Sequence, residues 1–564
     1  MDSRHQNSIF DNQWEYWLNK WFLLLAGTAI LVNASGLLLP VLEPDGALYA
    51  TISKNMVLSG DYLNLRVQGL DWLDKPHFPF WITALSFKFF GITGFAYKLP
   101  ALLFWVMGAY YTYKLANRIS NQLTARLSVL IYLSVEHLII SNNDVRAEPY
   151  LTGLIIASVY YYYRTYKENR WIFVLPGSLF LAMATMTKGI FIPVIVFSGF
   201  IIEWVFTKKW EEFCKPHWWL AVLFLLLFIL PELACLYIQF DRHPEKIVFG
   251  NNHVSGIRFF FWDSQFGRFF NTGPIKGKGD PFFYFHTLLW AFLPWSILVI
   301  LLLADRFKKF REKINYTHNY ICSGIFISGF ILFSVSHFQL PHYLNFLYPF
   351  LAILVAQYLA GEVPVTHKKI ILYTQNILFV LLFVTCLIIA IIYGMPHLLA
   401  IISLTLGAGT LAYLFFPGTH LKNVFGRSFL LIMLVNLFLN CIIYPELFKY
   451  ESGIPAAAYL NKTNYSGPLY TLSEISAEYA FEFYSKQPVM QMSISDLDSI
   501  KREVVVFTPR FIIDSLKREG INVQEIKSFP HFHISRLTGT FMNHQTRNGV
   551  VDSLSLITVS PFRY

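Results

Sequence analysis

Charged side chains are scarce in this sequence. They make up 14% of 564 residues, whereas hydrophobic residues make up 55%. A soluble globular domain carries about 25% charged residues, so this chain has too little charge to cover a water-facing globule of its size. The scarcity argues against a soluble protein. Together with repeated apolar runs of about 20 residues, it predicts a polytopic membrane protein.

Cysteines, phosphate loops and repeats are also scarce or missing. The five cysteines lie in or beside apolar runs, far apart in sequence, which predicts buried small hydrophobes and argues against a disulfide framework or a CxxC metal site. No GxGxxG or GxxxxGK[ST] loop occurs, which argues against a nucleotide-driven mechanism. The first apolar run lacks a small-residue cleavage site, so we expect no cleavable signal peptide.

The apolar runs predict about thirteen membrane-spanning helices. They lie near 21–41, 95–116, 122–140, 149–163, 171–186, 189–206, 218–238, 284–304, 319–336, 341–360, 371–393, 397–416 and 427–444. Residues 77–92 are apolar but short and rich in aromatics, which predicts a re-entrant or interfacial helix.

The net charge of +10 is not spread evenly. Lys and Arg cluster in alternate short loops, which the positive-inside rule assigns to the cytoplasm together with the N-terminus. This pattern favours a multi-pass protein of the cell (inner or plasma) membrane over a nucleic-acid-binding protein. The opposite, outer side then holds residues 42–94, 141–148 and 239–283 and the C-terminal tail.

The tail, residues 446–564, differs in composition from the first 445 residues. Polar and apolar residues are mixed there, with strands predicted at 468–473 and 503–508. Helices are predicted at 474–485 and at 510–519, the latter ending at Gly520. We therefore expect two domains, a transmembrane domain over 1–445 and a small extracytoplasmic α/β domain over 446–564.

The first outer loop is rich in acids. Glu43, Asp45, Asp61, Asp71 and Asp74 follow the first span, with cations among them. Asp45 begins a segment that predicts an amphipathic helix ending at Gly60. Asp is a favoured N-cap, so capping is one interpretation of Asp45, and chemistry at the membrane surface is the other.

Further candidates lie at the outer ends of later spans. Asp144 precedes Arg146 and Glu148, and it is either a site residue or half of a surface ion pair. Lys188 is either a phosphate contact or a snorkelling lysine. Arg258 and Arg268 lie in the 239–283 loop, where they are candidates for binding anionic lipid or acceptor. His342 and Tyr343 open the tenth span, in a cavity-lining or a structural role.

The motifs around these residues occur in a recognisable order. Asp45 is followed by ALYA, SGDY and Asp74-Lys75-Pro76, and then by ATMTKG, PFFYFHTLLWAFLPW and LPHYLNFLYP. This order resembles the large-loop GT-C membrane glycosyltransferases of the protein O-mannosyltransferase and lipid A aminoarabinose transferase type. The resemblance covers about residues 21–360 and extends loosely to the tail.

The resemblance implies a GT-C fold and an inverting sugar transfer from a polyprenyl-phosphate donor to a lipid, glycan or protein acceptor. A carboxylate must take the acceptor proton, and cations must stabilise the departing lipid phosphate. The resemblance assigns Asp45 as the catalytic acid and Lys75 to the donor phosphate. Asp144 is a second catalytic candidate from the residues alone, and Lys188, Arg258 and Arg268 are further candidates for binding the phosphate. Tyr49, Asp74, His342 and Tyr343, which lie within the matching motifs, are the candidates for lining the substrate cavity.

The sequence departs from the family pattern at two places. Gly46 follows Asp45 where the family often has an Asp-Glu pair, and Asp74 replaces a common glutamate. Some members bind a metal, but His253 and His286 match no ligand position, so Asp74 is at most one ligand. A divalent metal therefore stays open, and no other cofactor is predicted. The rival functions are a transporter or lipid flippase without transferase activity, and a scaffold.

Overall fold

The computed structural model describes residues 3–312, 319–463, 465–473 and 478–561, with side chains from Trp14 onward except at 498–499. Helices dominate as far as Thr463. In chain order the α-helices are α1 (Ser3–Ser35), α2 (Asp45–Ser59), α3 (Phe78–Phe90), α4 (Gly94–Ile119), α5 (Gln122–Leu133), α6 (Glu136–Asn143), α7 (Glu148–Glu168), α8 (Val174–Lys188), α9 (Phe191–Phe206), α10 (Pro216–Phe228), α11 (Leu230–Leu236), α12 (Gly256–Arg258), α13 (Phe283–Ala291), α14 (Ser296–Arg311), α15 (Tyr320–Ser334), α16 (Tyr348–Ala360), α17 (Val365–Tyr393), α18 (Leu398–Phe415), α19 (Leu421–Phe438), α20 (Tyr444–Leu447), α21 (Gly453–Thr463), α22 (Tyr479–Tyr484), α23 (Arg510–Arg518) and α24 (Gly539–Met542).

The chain is a multi-pass membrane protein. Within the described ranges, 7 helical stretches are long and apolar enough to cross a bilayer, or 9 if two bent pairs are each one span. The count of thirteen stays a prediction. The single predicted span 284–304 is corrected, because α13 and α14 meet at 119°. Pro294 lies in the break, where its ring and missing N–H disfavour a continuous helix.

The expectation of buried cysteines holds for three of the five. Cys235, Cys322 and Cys386 are buried, whereas Cys214 and Cys441 are exposed. The exposed pair corrects the prediction. Cys441 lies in the apolar helical stretch Leu421–Tyr450, where a small apolar side chain need not avoid lipid. Cys214 lies in the short connection between α9 and α10, which offers too little packing to cover it.

The first loop, residues 42–94, folds against the helical body. Helix α2 ends at Gly60, whose φ of 73° is readily adopted by glycine. Residues 46–54 of α2 are all buried, so the predicted amphipathic pattern is wrong. The face expected to meet water is covered by the tail. Helix α3 forms at the predicted interfacial segment and has 13 residues, short for a bilayer span.

The tail contains a five-stranded sheet of order β4-β3-β5-β7-β6. A two-residue pair in the first loop, β1 (Arg66–Val67) and β2 (Leu70–Asp71), precedes it in the chain. The sheet strands are β3 (Leu469–Leu472), β4 (Val489–Met492), β5 (Val504–Pro509), β6 (Val523–His531) and β7 (Asp552–Val559). Strands β4, β3 and β5 are parallel, and β7 is antiparallel to β5 and β6.

The strand predictions in the tail are confirmed by β3 and β5. Helix α23 matches the predicted 510–519 helix, followed by Gly520 at φ 82°. The predicted helix 474–485 appears as α22, and residues 474–477 lie outside the described residues. Apolar residues of α21 and α22 pack on one face of the sheet, and those of α23 pack on the other.

The tail contacts the first loop through α22, at what we call the tail junction. Buried Lys54 donates to the carbonyl oxygens of Glu482 at 2.5 Å and Ser485 at 2.7 Å. The Glu482 carboxylate accepts from the Asn55 amide at 2.9 Å and the Gln68 N–H at 3.0 Å. These bonds hold α2 against the tail, so the tail supports the helix that begins at Asp45.

Candidate active site

Asp45 is the first residue of α2 and makes no side-chain cap bond there; Pro44 occupies the cap position. Its carboxylate instead lies 2.6 Å from the Arg146 guanidinium, which also contacts Asp144 at 2.8 Å. The Asp45 side chain is 39% exposed. The capping interpretation therefore does not describe its contacts, and the carboxylate remains accessible to a ligand.

Asp144 is more enclosed than Asp45. One of its oxygens, Oδ1, is buried and has no hydrogen-bond partner among the described residues. Burial raises the pKa of Asp144, although Arg146 opposes that shift. Asp144 thus lies behind Arg146, which it shares with Asp45.

A second charged group joins the first loop to the 239–283 segment. The Lys75 ammonium lies 2.8 Å from one Asp74 oxygen, and Arg268 pairs with the other. Burial alone would raise the pKa of Asp74, but Lys75 and Arg268 together lower it. Burial and the nearby Arg268 lower the pKa of Lys75. One carboxylate is thus shared by two cations, which leaves a formal charge of +1 here.

A third pair forms between α7 and α8. Lys188 lies 2.5 Å from Glu148 and 3.6 Å from the centre of the Tyr343 ring. His342 lies 3.8 Å from the same Glu148 oxygen. Lys188 therefore points into the protein rather than toward the bilayer surface, as snorkelling would require.

The TKG segment has a local physical reason for its glycine. Gly189 has φ 112°, and a Cβ there would lie 2.3 Å from the Gln265 amide nitrogen. That amide donates to the Lys188 carbonyl oxygen at 2.9 Å. Gly189 lets Gln265 approach and fix the backbone at Lys188.

Two adjoining cavities meet at these groups. A cavity of about 500 Å³ is lined by Asp45, Tyr49, Asp74, Lys75, Arg146, Glu148, Lys188, Arg268, His342 and Tyr343, among others. A second, of about 580 Å³, shares Asp74, Lys75, Lys188, Arg268, Phe338 and Tyr343, and continues over apolar side chains such as Phe191, Ile192 and Phe333. We call the shared residues the common wall.

The first cavity is electrically polarised. At the common wall, Lys75 and Arg268 share Asp74. Elsewhere in the lining, Arg146 is shared by Asp45 and Asp144, so two carboxylates face one guanidinium. An anion is favoured at the wall, where hydrogen-bond donors to phosphate converge, and a proton acceptor is available at Asp45.

Not every candidate reaches these cavities. Arg258 is 74% exposed and lies 3.6 Å from Asp263. It is absent from the lining of both cavities, as is Asp144, which contacts them only through Arg146. His253 and His286 are exposed. Asp61 accepts hydrogen bonds from the Leu63 and Asn64 N–H groups in a local turn.

Sequence reasoning missed one buried pair that positions the loop. The His77 ring lies 3.0 Å from the Glu232 carboxylate, which also accepts the His77 N–H at 2.9 Å. The other ring nitrogen lies 3.0 Å from the Leu63 carbonyl oxygen. The signal was present, since Glu232 interrupts an apolar run, and ionisable residues there usually have a role. The pairing of Arg146 with Asp45 and of Glu148 with Lys188 was missed as well, although the pair of Asp144 with a neighbouring arginine was one of the interpretations offered.

The motif ending in LPW supports packing rather than the cavity. The buried Trp295 indole donates to the Ser134 hydroxyl at 2.9 Å and stacks on Phe425 with 4.4 Å between ring centres. Neither cavity is lined by Trp295. This motif therefore fixes the start of α14 within the helical body.

Asp74 is poorly placed to ligate a metal, because two cations already occupy its oxygens. Among the described residues, the group of His, Cys, Asp and Glu side chains that could converge on an ion lies elsewhere, at Glu478, His531 and His533. The common wall itself is suited to an anion.

Known proteins share both sequence and fold with this chain. A family described as dolichyl-phosphate-mannose-protein mannosyltransferase matches residues 74–234. An undecaprenyl phosphate-alpha-4-amino-4-deoxy-L-arabinose arabinosyl transferase from Edwardsiella ictaluri is 28% identical over 333 residues, 57% of this chain and 56% of that protein. An uncharacterized protein from Aquifex aeolicus is 26% identical over 355 residues, 61% of this chain and 65% of that protein. The chain thus aligns with less than two thirds of these relatives' length.

The structural comparison covers nearly the whole chain. The crystal structure of ArnT from Cupriavidus metallidurans bound to undecaprenyl phosphate superposes with a TM-score of 0.74 at 16% identity, over 95% of this chain and 98% of that one. The apo form gives a TM-score of 0.73 over 96% of this chain and 98% of that one, again at 16% identity. These matches confirm the predicted GT-C fold, with its helical body and small sheet-containing tail. The family match and the sequence relatives support the resemblance drawn from the motifs.

Proposed function

We propose that this protein is an inverting membrane glycosyltransferase that takes its sugar from a polyprenyl-phosphate donor. The observation that carries the proposal is the common wall, where three cations border both a polar cavity and an apolar one. A lipid-linked sugar has this same division into an apolar chain, a phosphate and a polar sugar. The matched arabinosyl transferases are named for an undecaprenyl phosphate-linked sugar.

The donor then lies with its phosphate at the common wall. Lys75, Lys188 and Arg268 are the phosphate-binding residues, and charge-assisted hydrogen bonds to phosphate are the strong ones. The apolar cavity takes the first part of the lipid, and the polar cavity takes the sugar beside Tyr49 and His342. Arg258 is exposed and lines neither cavity, so we assign it no direct contact with the phosphate.

Asp45 is the proposed general base. The acceptor oxygen attacks the anomeric carbon as its proton passes to Asp45, and the bond from that carbon to the phosphate oxygen breaks. The electron pair leaves on the phosphate, where the cations of the common wall stabilise the developing charge. Asp144 is a positioning residue in this scheme, because it holds Arg146 against Asp45.

We also propose that residues 42–94, 141–148, 239–283 and the tail lie on the outer side of the cell membrane. The alternating Lys and Arg loops support this orientation. Cysteines introduced at Asp61 and Lys462, in a background without native cysteines, should react with an impermeant reagent in intact spheroplasts. If both positions were labelled only after lysis, the protein would have the opposite orientation in the membrane and the proposal would be wrong.

Asp45→Asn tests the chemistry. Asn keeps the size of Asp but does not accept a proton at neutral pH, so we expect transfer from a polyprenyl-phosphate sugar to fall at least about a hundredfold. Asp144→Asn should cost less, and Asp61→Asn, at a surface turn, should cost little. The variants are compared at equal membrane expression. Normal transfer by Asp45→Asn with loss in Asp144→Asn would move the base to Asp144, and normal transfer by all three would favour a transporter or flippase.

The sugar and the acceptor are identified by a separate measurement. Mass spectrometry of lipids and surface glycans from cells with and without the gene should reveal a missing hexose, pentose or aminosugar and the molecule that carries it. An unchanged set of lipids, glycans and glycoproteins would contradict the proposal.

A further inference from the structure

Three carboxylates are buried together at the tail junction. Glu43 lies just before α2, Glu451 lies at the end of the last membrane helix, and Glu478 precedes α22. Their exposed fractions are 7%, 1% and 4%. In each, the Oε2 atom is buried and has no hydrogen-bond partner among the described residues. Such orphaned oxygens are costly and need compensation.

Two histidines of the tail adjoin this acidic group. His531 ends β6, and its Nε2 atom lies 3.7 Å from the Glu478 carboxylate. The His533 ring stands nearly perpendicular to it, with 4.9 Å between ring centres. One ligand atom from each of Glu478, His531 and His533 lies within 4.8 Å of the other two.

We propose that Glu478, His531 and His533 bind a divalent transition-metal ion of the zinc type. A contact of 3.7 Å between Nε2 and a carboxylate oxygen is too long for a hydrogen bond. Two ligand atoms each about 2.0–2.1 Å from a tetrahedral zinc lie roughly 3.3 Å apart, close to that spacing. Two imidazoles and a carboxylate are a known zinc donor set.

The second His531 nitrogen supports this assignment. Nδ1 lies 2.9 Å from the Ser452 hydroxyl. When that nitrogen carries the proton and donates it to Ser452, the Nε2 lone pair faces Glu478. Metal-bound histidines are commonly fixed in this way by a partner on the other nitrogen.

The remaining carboxylates supply negative charge around the ion. Burial, and then the nearby Glu478, raise the pKa of both Glu43 and Glu451, and within the described residues no Lys or Arg pairs with any of the three acids. A bound cation offsets this repulsion. All three ligands belong to the tail, and none of them lines either cavity. Glu43, two positions before Asp45, is the residue of the first loop whose repulsion with Glu478 a bound ion would offset.

Zinc binding by the full-length protein in detergent tests the site. After chelator treatment and removal of the chelator, wild type should take up about one tightly bound zinc per chain and unfold at a higher temperature with zinc. His533 is exposed, so His533→Ala should fold, and it should bind zinc at least about tenfold more weakly, a loss typical of disrupted metal sites. Unfolding without metal should be the same for both proteins.

The control is His243→Ala, which removes an exposed histidine lying 2.9 Å from Glu245. It should bind zinc as wild type does. Wild-type affinity in His533→Ala, equal weakening in His243→Ala, or no zinc uptake by wild type would each overturn the proposal. In the last case, protonated carboxyl groups compensate the cluster instead. The readouts are metal content and unfolding, so the result is independent of sugar transfer.

Discussion

The polar cavity and the tail junction each contain several carboxylates, but the charges of these carboxylates are compensated differently. In the cavity, each of Asp45, Asp74 and Glu148 contacts Lys or Arg within the protein. At the junction, Glu43, Glu451 and Glu478 have no such partner in the described parts of the chain. In the cavity, an anion can therefore bind to lysines and arginines that are already present. At the junction, the charge of the three carboxylates must be offset by a bound ion or by protons.

Removing a cation from the common wall should weaken binding of the lipid-linked donor in the cavity. Lys75→Ala leaves Asp74 paired with Arg268 alone and removes one of the hydrogen-bond donors to the phosphate of the lipid-linked sugar. A charge-assisted contact contributes about 1.5–3 kcal/mol, so apparent donor affinity should fall roughly ten- to a hundredfold. Steady-state kinetics against the lipid-linked donor measure this effect. Lys278→Ala, an exposed lysine in the 239–283 segment, is the control, and wild-type donor kinetics in a folded Lys75→Ala protein would rule out the role.

Removing a cation from the junction should affect stability instead of donor binding. Lys54→Met keeps the length of the side chain but leaves three carbonyl oxygens, of Glu482, Phe483 and Ser485, without their donor. Leaving a buried hydrogen-bond acceptor without its donor lowers the free energy of unfolding by about 1–3 kcal/mol. We expect a lower unfolding temperature and faster proteolysis of the tail. Unchanged proteolysis would mean that α22 does not depend on Lys54.

The stability of the junction is also expected to depend on pH, through Glu482. Burial raises the pKa of Glu482 from 4.5 to about 7. The folded protein therefore keeps a proton that the unfolded chain loses, so this contribution to stability is complete below about 4.5 and is lost as pH rises to about 7.

Glu482→Gln should remove that dependence. The variant should match wild type near pH 4.5 and be the more stable of the two near pH 8, as followed by chemical unfolding. Glu519→Gln, at an exposed carboxylate of the tail, is the control. A wild-type pH profile in Glu482→Gln would show that this carboxyl group does not titrate as the buried environment implies.

The smallest effect is expected outside both regions. Arg258→Ala removes an exposed side chain whose ion pair with Asp263 spans 3.6 Å. Exposed pairs contribute about 0–1 kcal/mol, so transfer and stability should change by no more than about twofold in rate or a few tenths of a kcal/mol. A large loss of transfer would show that the 239–283 segment moves Arg258 into the cavity during the reaction.

Local sequence was enough to predict much of the fold and part of the site. Apolar runs located most helices, and motif order placed Asp45, Lys75 and Lys188 together. It could not show which partners they take. Arg146 is shared by two acids from different segments, and Glu43 accepts a hydrogen bond from Ala480, 437 residues away. Such contacts depend on tertiary packing, which also explains why α2 is buried although its outer face was expected to meet water.

Helix α2 is held at its first residue by Arg146, which contacts Asp45, and in its second half by the tail, which contacts Lys54. In evolutionary terms, residues of the loop and of the tail that contact each other are expected to vary together. Lys54 bonds to backbone carbonyl oxygens, which substitution does not remove, whereas Asn55 bonds to the Glu482 side chain. Substitutions at positions 55 and 482 should therefore compensate or aggravate one another, and lineages should change them together. Arg258 and Asp263 form an exposed ion pair within one segment, so we expect their substitutions to be independent of the tail.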